Sequence, residues 1–230
     1  MTGRPAPAVL PASLRVWLGL ITVLAALVVV VLGVLYAGHG ESGRVDRWII
    51  QPTADSVRPP WRNVALATDF LGEPVGAAML VVAAVTGCLL LRWPRAAVLV
   101  VVGVGMTVGT ARLLKPLVGR TIHGDGNLSY PSGHTAFLTA LALVVALLAT
   151  GRLGLGRTAG TLLVLAAALV AGAAMGWAQV ALGAHYPTDV LGGWCTALAV
   201  VPTTAWLVDR MADRLADRAA GRPAGRRERR

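Results

Sequence analysis

Six long apolar runs, separated by shorter polar stretches, organise this chain. They extend from about Val16 to Ala37, Gly72 to Leu91, Ala96 to Leu114, His134 to Thr150, Thr158 to Leu182 and Thr188 to Val208. Each is close to the roughly 20 apolar residues that cross a bilayer core of about 30 Å. Periodicity does not separate a wholly apolar helix from a buried strand. Length does, and a helix satisfies its own backbone in lipid, so the pattern predicts an all-α bundle of six transmembrane helices. The stretch Gly38 to Leu71 is too polar to span. It contains Trp48, Trp61 and Pro59-Pro60, and its aromatics are expected at headgroup level. The first run is too long for a signal-peptide core and lacks a convincing cleavage site, so no signal peptide is expected. The expected division is an N-terminal segment (1–15), one membrane domain (16–208) and a basic tail (209–230), with no separate soluble domain.

Composition agrees with this picture. The 230 residues are 56% hydrophobic and only 14% charged, with a mean hydropathy of +0.67, and a soluble domain of this size carries more charge. Charge placement then suggests an orientation. Arg4, Arg15, Arg92, Arg95, Arg152, Arg157 and eight arginines between Arg210 and Arg230 fall on one side, 14 in all. Arg44, Arg47, Arg58, Arg62, Arg112, Lys115 and Arg120 fall on the other, seven in all. The positive-inside rule therefore puts both termini in the cytoplasm and the loops before the fourth and sixth runs outside. Of the net charge of +10, the tail 209–230 carries +4, eight arginines against Asp209, Asp213, Asp217 and Glu228. Beside a membrane span such a tail is read as contacting anionic headgroups rather than nucleic acid.

Other features have structural readings. Asp209, Asp213 and Asp217 recur every four residues, each followed by an arginine, which predicts a solvated helical extension with i,i+4 ion pairs. Beyond Gly221-Arg222-Pro223 disorder is expected. Cys88 and Cys195 lie within predicted spans, match no zinc spacing, and are read as buried, inert thiols. Gly105/Gly109 and Gly172/Gly176 form GxxxG pairs, read as close packing within the bundle in preference to dimerisation.

The chemistry gathers at the mouths of the runs. Pro131-Ser132-Gly133-His134 opens the fourth, and His185-Tyr186-Pro187-Thr188-Asp189 opens the sixth. Ser132 follows a proline and precedes a helix, as an N-cap does. The amides of Gly133 and His134 would then offer a helix N-terminus to an anion. At i,i+4 spacing His185 and Asp189 share a helix face. Asp189 is placed to fix the imidazole tautomer and leave the other nitrogen as a nucleophile. Lys115 stands at the end of the third run. Taken singly these features also read as a turn with a cap and as a structural His–Asp pair. Together they supply a nucleophile, an orienting acid, a proton donor and an anion cradle, as attack on a phosphate ester requires.

This set resembles the type 2 phosphatidic acid phosphatase superfamily of membrane lipid phosphatases. The resemblance covers Lys115 to Gly193 by motif and the six-span layout by topology. Pro-Ser-Gly-His stands intact at Pro131 to His134, and His-x-x-x-Asp at His185 and Asp189. It implies that His185 attacks phosphorus to form a phosphohistidine, that Asp189 orients it, and that His134 protonates the leaving oxygen. It further implies that Lys115, Ser132 and Gly133 hold the phosphoryl oxygens, with no metal or other cofactor. Two departures stand out. Ile122-His123 replaces the Arg-Pro pair seven residues after the lysine, and Ala178-Gln179 replaces the Ser-Arg pair before the nucleophile. Arg120, two residues before the first missing arginine, is expected to bend toward the site and replace its charge.

The expected function is metal-independent dephosphorylation of a membrane lipid phosphate or pyrophosphate at the outer face. The expected partners are that lipid and the surrounding anionic headgroups, not nucleic acid, and oligomeric state stays open. The alternatives are a non-catalytic phospholipid-binding protein on the same fold, which the missing arginines motivate, a transporter, and a vanadium haloperoxidase. A transporter fits poorly, because the spans carry no charge near their midpoints and no paired broken helices. A haloperoxidase would need more positive charge to hold vanadate.

Overall fold

The computed structural model describes residues 8–124 and 126–219, apart from the side chains of 54–56. Arg4 and the tail beyond Ala219, including the segment expected to be disordered, lie outside the described residues. After a short 3₁₀ turn, Ala12–Leu14, the described residues form eight α-helices: α1 Arg15–Leu35, α2 Arg44–Ser56, α3 Trp61–Phe70, α4 Pro74–Leu90, α5 Pro94–Val118, α6 Gly133–Arg152, α7 Arg157–Ala181 and α8 Pro187–Ala219. Five helices are long and apolar enough to span a membrane. The bent pair α3–α4, broken at 62°, makes a sixth candidate. All six predicted runs are therefore helices.

Local chemistry sets the ends. Proline opens α4, α5 and α8, where a missing N–H leaves no helical bond unmade. Helix α5 stops at Gly119, whose φ of +64° is the left-handed conformation of a helix C-cap, with its N–H on the Lys115 carbonyl. Helix α6 starts at Ser132, whose hydroxyl accepts from the Thr135 N–H.

Helices α6 and α8 form the centre. Over their most apolar windows 61% and 56% of residues are buried, against 22% for α1, which leaves its exposed valines and leucines for lipid. Glycines permit the closest approaches. A Cβ on Gly172 would meet the Trp194 ring at 2.3 Å, and one on Gly176 would meet Val190 at 2.3 Å. That GxxxG pair packs α7 on α8 within the bundle, as expected. Gly105 and Gly109 differ, since a Cβ on either would meet nothing within 4 Å. Cys88 and Cys195 are buried, free thiols.

Two expectations change. The polar stretch after α1 is not simply a loop, because it folds into α2 and α3, and Trp48 and Trp61 are exposed on them. The acidic repeat at the end of α8 continues the helix, but its partners are not local. Asp209 is buried and accepts from the N–H groups of Val9 and Leu10 at 2.9 Å each. Arg95 lies 3.8 Å from Asp209 and 3.1 Å from Asp213. A carboxylate that has two backbone donors and an arginine from other elements ties the chain ends together, and α8 runs unbroken through the expected boundary at 208/209.

Candidate active site

The beginnings of α6 and α8 meet at one end of the bundle. The Ser132 N–H donates to the Asp189 carbonyl at 2.9 Å, and a Cβ on Gly193 would meet the Ser132 carbonyl oxygen at 2.3 Å. Glycine at 193 thus lets α8 approach the Pro-Ser-Gly-His turn. His185 precedes α8 in a tight turn in which Gly183 has φ +72° and the Gln179 carbonyl accepts from the N–H groups of Ala184 and His185.

A cavity of about 690 Å³ opens at this end. Its polar end contains Arg112, Lys115, Gly133, His134, His185 and Glu73, and its walls are apolar residues of α4 and α5 such as Ala77, Val81, Val100 and Val104. A Cβ on Gly133 would meet nothing within 4 Å, so the start of α6 faces open space. The Lys115 ammonium donates to the Leu128 carbonyl, which holds it at the rim. Arg112, one turn earlier on α5, adds a second cation that sequence reasoning counted only among the basic residues of that side.

His185 is 9% exposed, and its Nδ1 lies 3.6 Å from Asp189 Oδ2. Burial pushes the imidazole below its ordinary value, while Asp189 acts in the opposite direction and Lys115 and His134 add to the lowering. The neutral ring, with Nδ1 toward the carboxylate and Nε2 left for a substrate, is the form a nucleophile requires.

Asp189 is fixed from behind. Its Oδ1 accepts from Arg120 Nη1 at 2.6 Å, and its Oδ2 accepts from the Tyr186 N–H at 3.1 Å. Arg120 Nη2 also pairs with Asp46 Oδ2 at 2.7 Å. Asp46, from α2, accepts in addition from the backbone N–H and hydroxyl of Thr188. The guanidinium sits 4.0 Å from the Tyr36 ring centroid and 4.5 Å from that of Tyr186. Burial raises the Tyr186 phenol above its ordinary value, and it stays neutral.

The structure corrects two site expectations. Arg120 does not bend toward the cavity. It is wholly buried between two carboxylates and two aromatic rings, so its charge is taken by Asp46 and Asp189. Ser132 is also wholly buried, and its hydroxyl is engaged with the Thr135 N–H and hydroxyl, as a cap. Neither lines the cavity. At the departing positions, Ile122 is buried and His123 bonds the Gly183 carbonyl at 2.7 Å. Gln179 is buried and donates to Asp69.

His134 lies on the other side of the cavity. Its Nε2 is 3.7 Å from Asp69 Oδ1 and 3.5 Å from Glu73 Oε1. These three residues bring ligand atoms within 4.8 Å of one another, and among the described residues they are the grouping able to hold a metal ion. Sequence reasoning missed Asp46, Asp69 and Glu73. All three lie in or beside the stretch it left without structure, and each meets its partners only through the tertiary fold.

Comparison with known proteins bears on the family and the fold. The sequence model of the PAP2 superfamily matches residues 114–212. No curated protein matches. Among solved structures, the fold is similar to the crystal structure of a transmembrane PAP2 type phosphatidylglycerolphosphate phosphatase from Bacillus subtilis. The TM-score is 0.65 at 21% identity, covering 84% of this chain and 96% of that one. The segment that carries both histidines, residues 114–212, matches the PAP2 superfamily model and sits in an all-helical fold with five or six candidate membrane spans, similar to that of the transmembrane PAP2 type enzyme.

Proposed function

We propose that this protein is a membrane lipid phosphatase that works through a phosphohistidine, without a metal, on a lipid phosphate or pyrophosphate at the extracytoplasmic face. The observation that carries the reading is the buried His185–Asp189 pair, opening on a cavity with cations at its polar end and apolar walls. A lipid phosphate has that same division between anionic head and apolar body. The similar Bacillus subtilis protein, described as a phosphatidylglycerolphosphate phosphatase, supports the substrate class.

In this mechanism the Nε2 lone pair of His185 forms a bond to phosphorus as the bond from phosphorus to the lipid oxygen breaks. His134 gives that oxygen a proton, so the lipid leaves as an alcohol. Water then attacks the phosphohistidine while His134 takes the water's proton, and phosphate departs with both histidines restored. Lys115, Arg112 and the amides at the start of α6 stabilise charge on the non-bridging oxygens. Ser132 shapes this cradle as a cap, and Arg120 acts by fixing Asp189. The excess of arginines on the opposite side of the bundle supports the extracytoplasmic placement.

The test is phosphate release by purified protein in detergent from phosphatidic acid, phosphatidylglycerol phosphate and a polyprenyl pyrophosphate, with and without chelator. Release that survives chelation, with an acid-labile, alkali-stable phosphoprotein trapped on quenching, is expected. Tight lipid binding with no release would favour the non-catalytic alternative. For the face, Asn127→Cys should react with an impermeant thiol reagent on intact cells, and labelling only after permeabilisation would reverse the orientation.

A further inference from the structure

The turn between α3 and α4 is shaped around the His134 ring. A Cβ on Gly72 would meet the ring's Cδ2 at 2.2 Å, so the glycine lets the imidazole lie flat against this turn. The same turn brings Asp69 and Glu73 to 3.7 and 3.5 Å from Nε2. That nitrogen is shut off from solvent and has no hydrogen-bond partner, although two carboxylates stand within one small movement of it. Hydrogen bonds in a free site are often long and tighten only when substrate is bound.

Asp69 is itself fixed. Gln179, 1% exposed on α7, donates from Nε2 to Asp69 Oδ1. An amide gives Asp69 a hydrogen bond without neutralising its charge, whereas an arginine at position 179 would form an ion pair with it. The residue that departs from the superfamily pattern therefore leaves a negative carboxylate facing His134.

We propose that Asp69, held by Gln179 and seconded by Glu73, is the positioning carboxylate of His134, as Asp189 is of His185. Asp69 takes the Nε2–H, so the proton for the leaving oxygen comes from the opposite nitrogen, Nδ1. Nδ1 then recovers a proton from the attacking water. The two histidines are used in opposite senses, with His185 held at Nδ1 and reacting at Nε2, and His134 held at Nε2 and reacting at Nδ1. The assignment rests on the phosphohistidine reading.

Leaving-group dependence tests it. A lipid alkoxide needs a proton to depart, while p-nitrophenolate hardly does. In Asp69→Asn, kcat/KM on a lipid phosphate, which covers only the steps through departure of the leaving group, should fall about 100-fold or more, within the roughly 10²–10⁴-fold typical of general acid catalysis. kcat/KM for p-nitrophenyl phosphate should fall less than about fivefold, because the later attack of water is common to both substrates and enters neither ratio. Retained aryl turnover also reports a folded site. Asp69→Glu should recover part of the lipid activity, and Gln179→Leu should show the same selective loss at smaller size. Equal losses on both substrates, or no loss on either, would overturn the assignment. So would activation of the wild type by added manganese or zinc that Asp69→Asn abolishes, since the cluster would then be a metal site. A wild-type enzyme that turns over both substrates without an alkali-stable phosphoprotein would instead remove the phosphohistidine reading.

Discussion

His185 and His134 face the same cavity from opposite surroundings. Behind His185 everything is closed: Asp189, Arg120 and Asp46 are wholly buried, and the ion pairs are 2.6 and 2.7 Å long. Around His134 the groups are half open, with side chains 24–51% exposed and N···O distances of 3.5–3.7 Å. The difference matches two demands. A nucleophile needs one fixed direction and a dry, neutral ring. A proton donor needs access to a leaving oxygen whose position depends on the lipid, and later to water. The closed side is built into the start of α8, in the core. The open side rests on a bent helix pair at the edge of the bundle.

The largest effects should come from the closed side. His185→Ala should reduce turnover by on the order of 10⁴-fold or more on lipid and aryl phosphates alike, because no other group is placed to attack phosphorus. Asp189→Asn should likewise slow both substrates, in contrast to the selective loss expected for Asp69→Asn. Phosphate release measured on the two substrates for each variant reads this directly. If Asp189→Asn spared the aryl substrate, the two carboxylates would have exchanged roles, with Asp69 serving the nucleophile and Asp189 the proton donor.

Arg120 sharpens the same contrast from the side of stability. Removing it leaves two buried carboxylates without their cation, a change that costs about 3–5 kcal/mol when one partner of a buried pair is lost. Loss of its contact with two tyrosine rings adds to this. Arg120→Ala should therefore lower the unfolding midpoint in detergent strongly. Lys115→Ala should leave the midpoint almost unchanged and reduce kcat/KM by about 1.5–3 kcal/mol, as expected for a charged contact to phosphate. If Arg120→Ala proved stable and only catalytically impaired, Arg120 would be a phosphate ligand after all.

The sequence showed the six apolar runs and the two histidine motifs because those signals are local. Length and hydropathy mark a span, and four or five adjacent residues mark each motif. Helix α2 carried no such signal, since it is short, polar and contains Pro52. Its structural carboxylate, Asp46, is 74 residues from Arg120 and 142 from Thr188. Arg120 was misread for the same reason. Its position after Lys115 suggested the cavity, but Tyr36, Asp46, Tyr186 and Asp189, distant from it in sequence, capture it first. The clue available in sequence was the pair of departures at Ile122 and Gln179. Gln179, in place of an arginine, donates to Asp69 and so points to that carboxylate.

The smallest expected effect is a shift in pH dependence, and it tests the closed side alone. Burial lowers the His185 pKa from its ordinary 6.5, with Asp189 opposing. The neutral nucleophile therefore persists into more acidic solution than a free imidazole would allow. The acid limb of kcat/KM, which reports groups on the free enzyme and substrate, should bend below 6.5 if His185 governs it. The phosphate ester also titrates in this range, so the absolute position mixes two ionisations. Comparing Asp189→Asn with the wild type on one substrate cancels the ester's part. Asparagine removes the carboxylate that favours the imidazolium, so the variant, though far slower, should have its acid limb displaced to still lower pH. A limb that moved upward would mean that the carboxylate does not face His185 in the working enzyme. An unmoved limb would mean that the limb belongs to the ester, and a substrate with a more acidic phosphate would then expose the histidine.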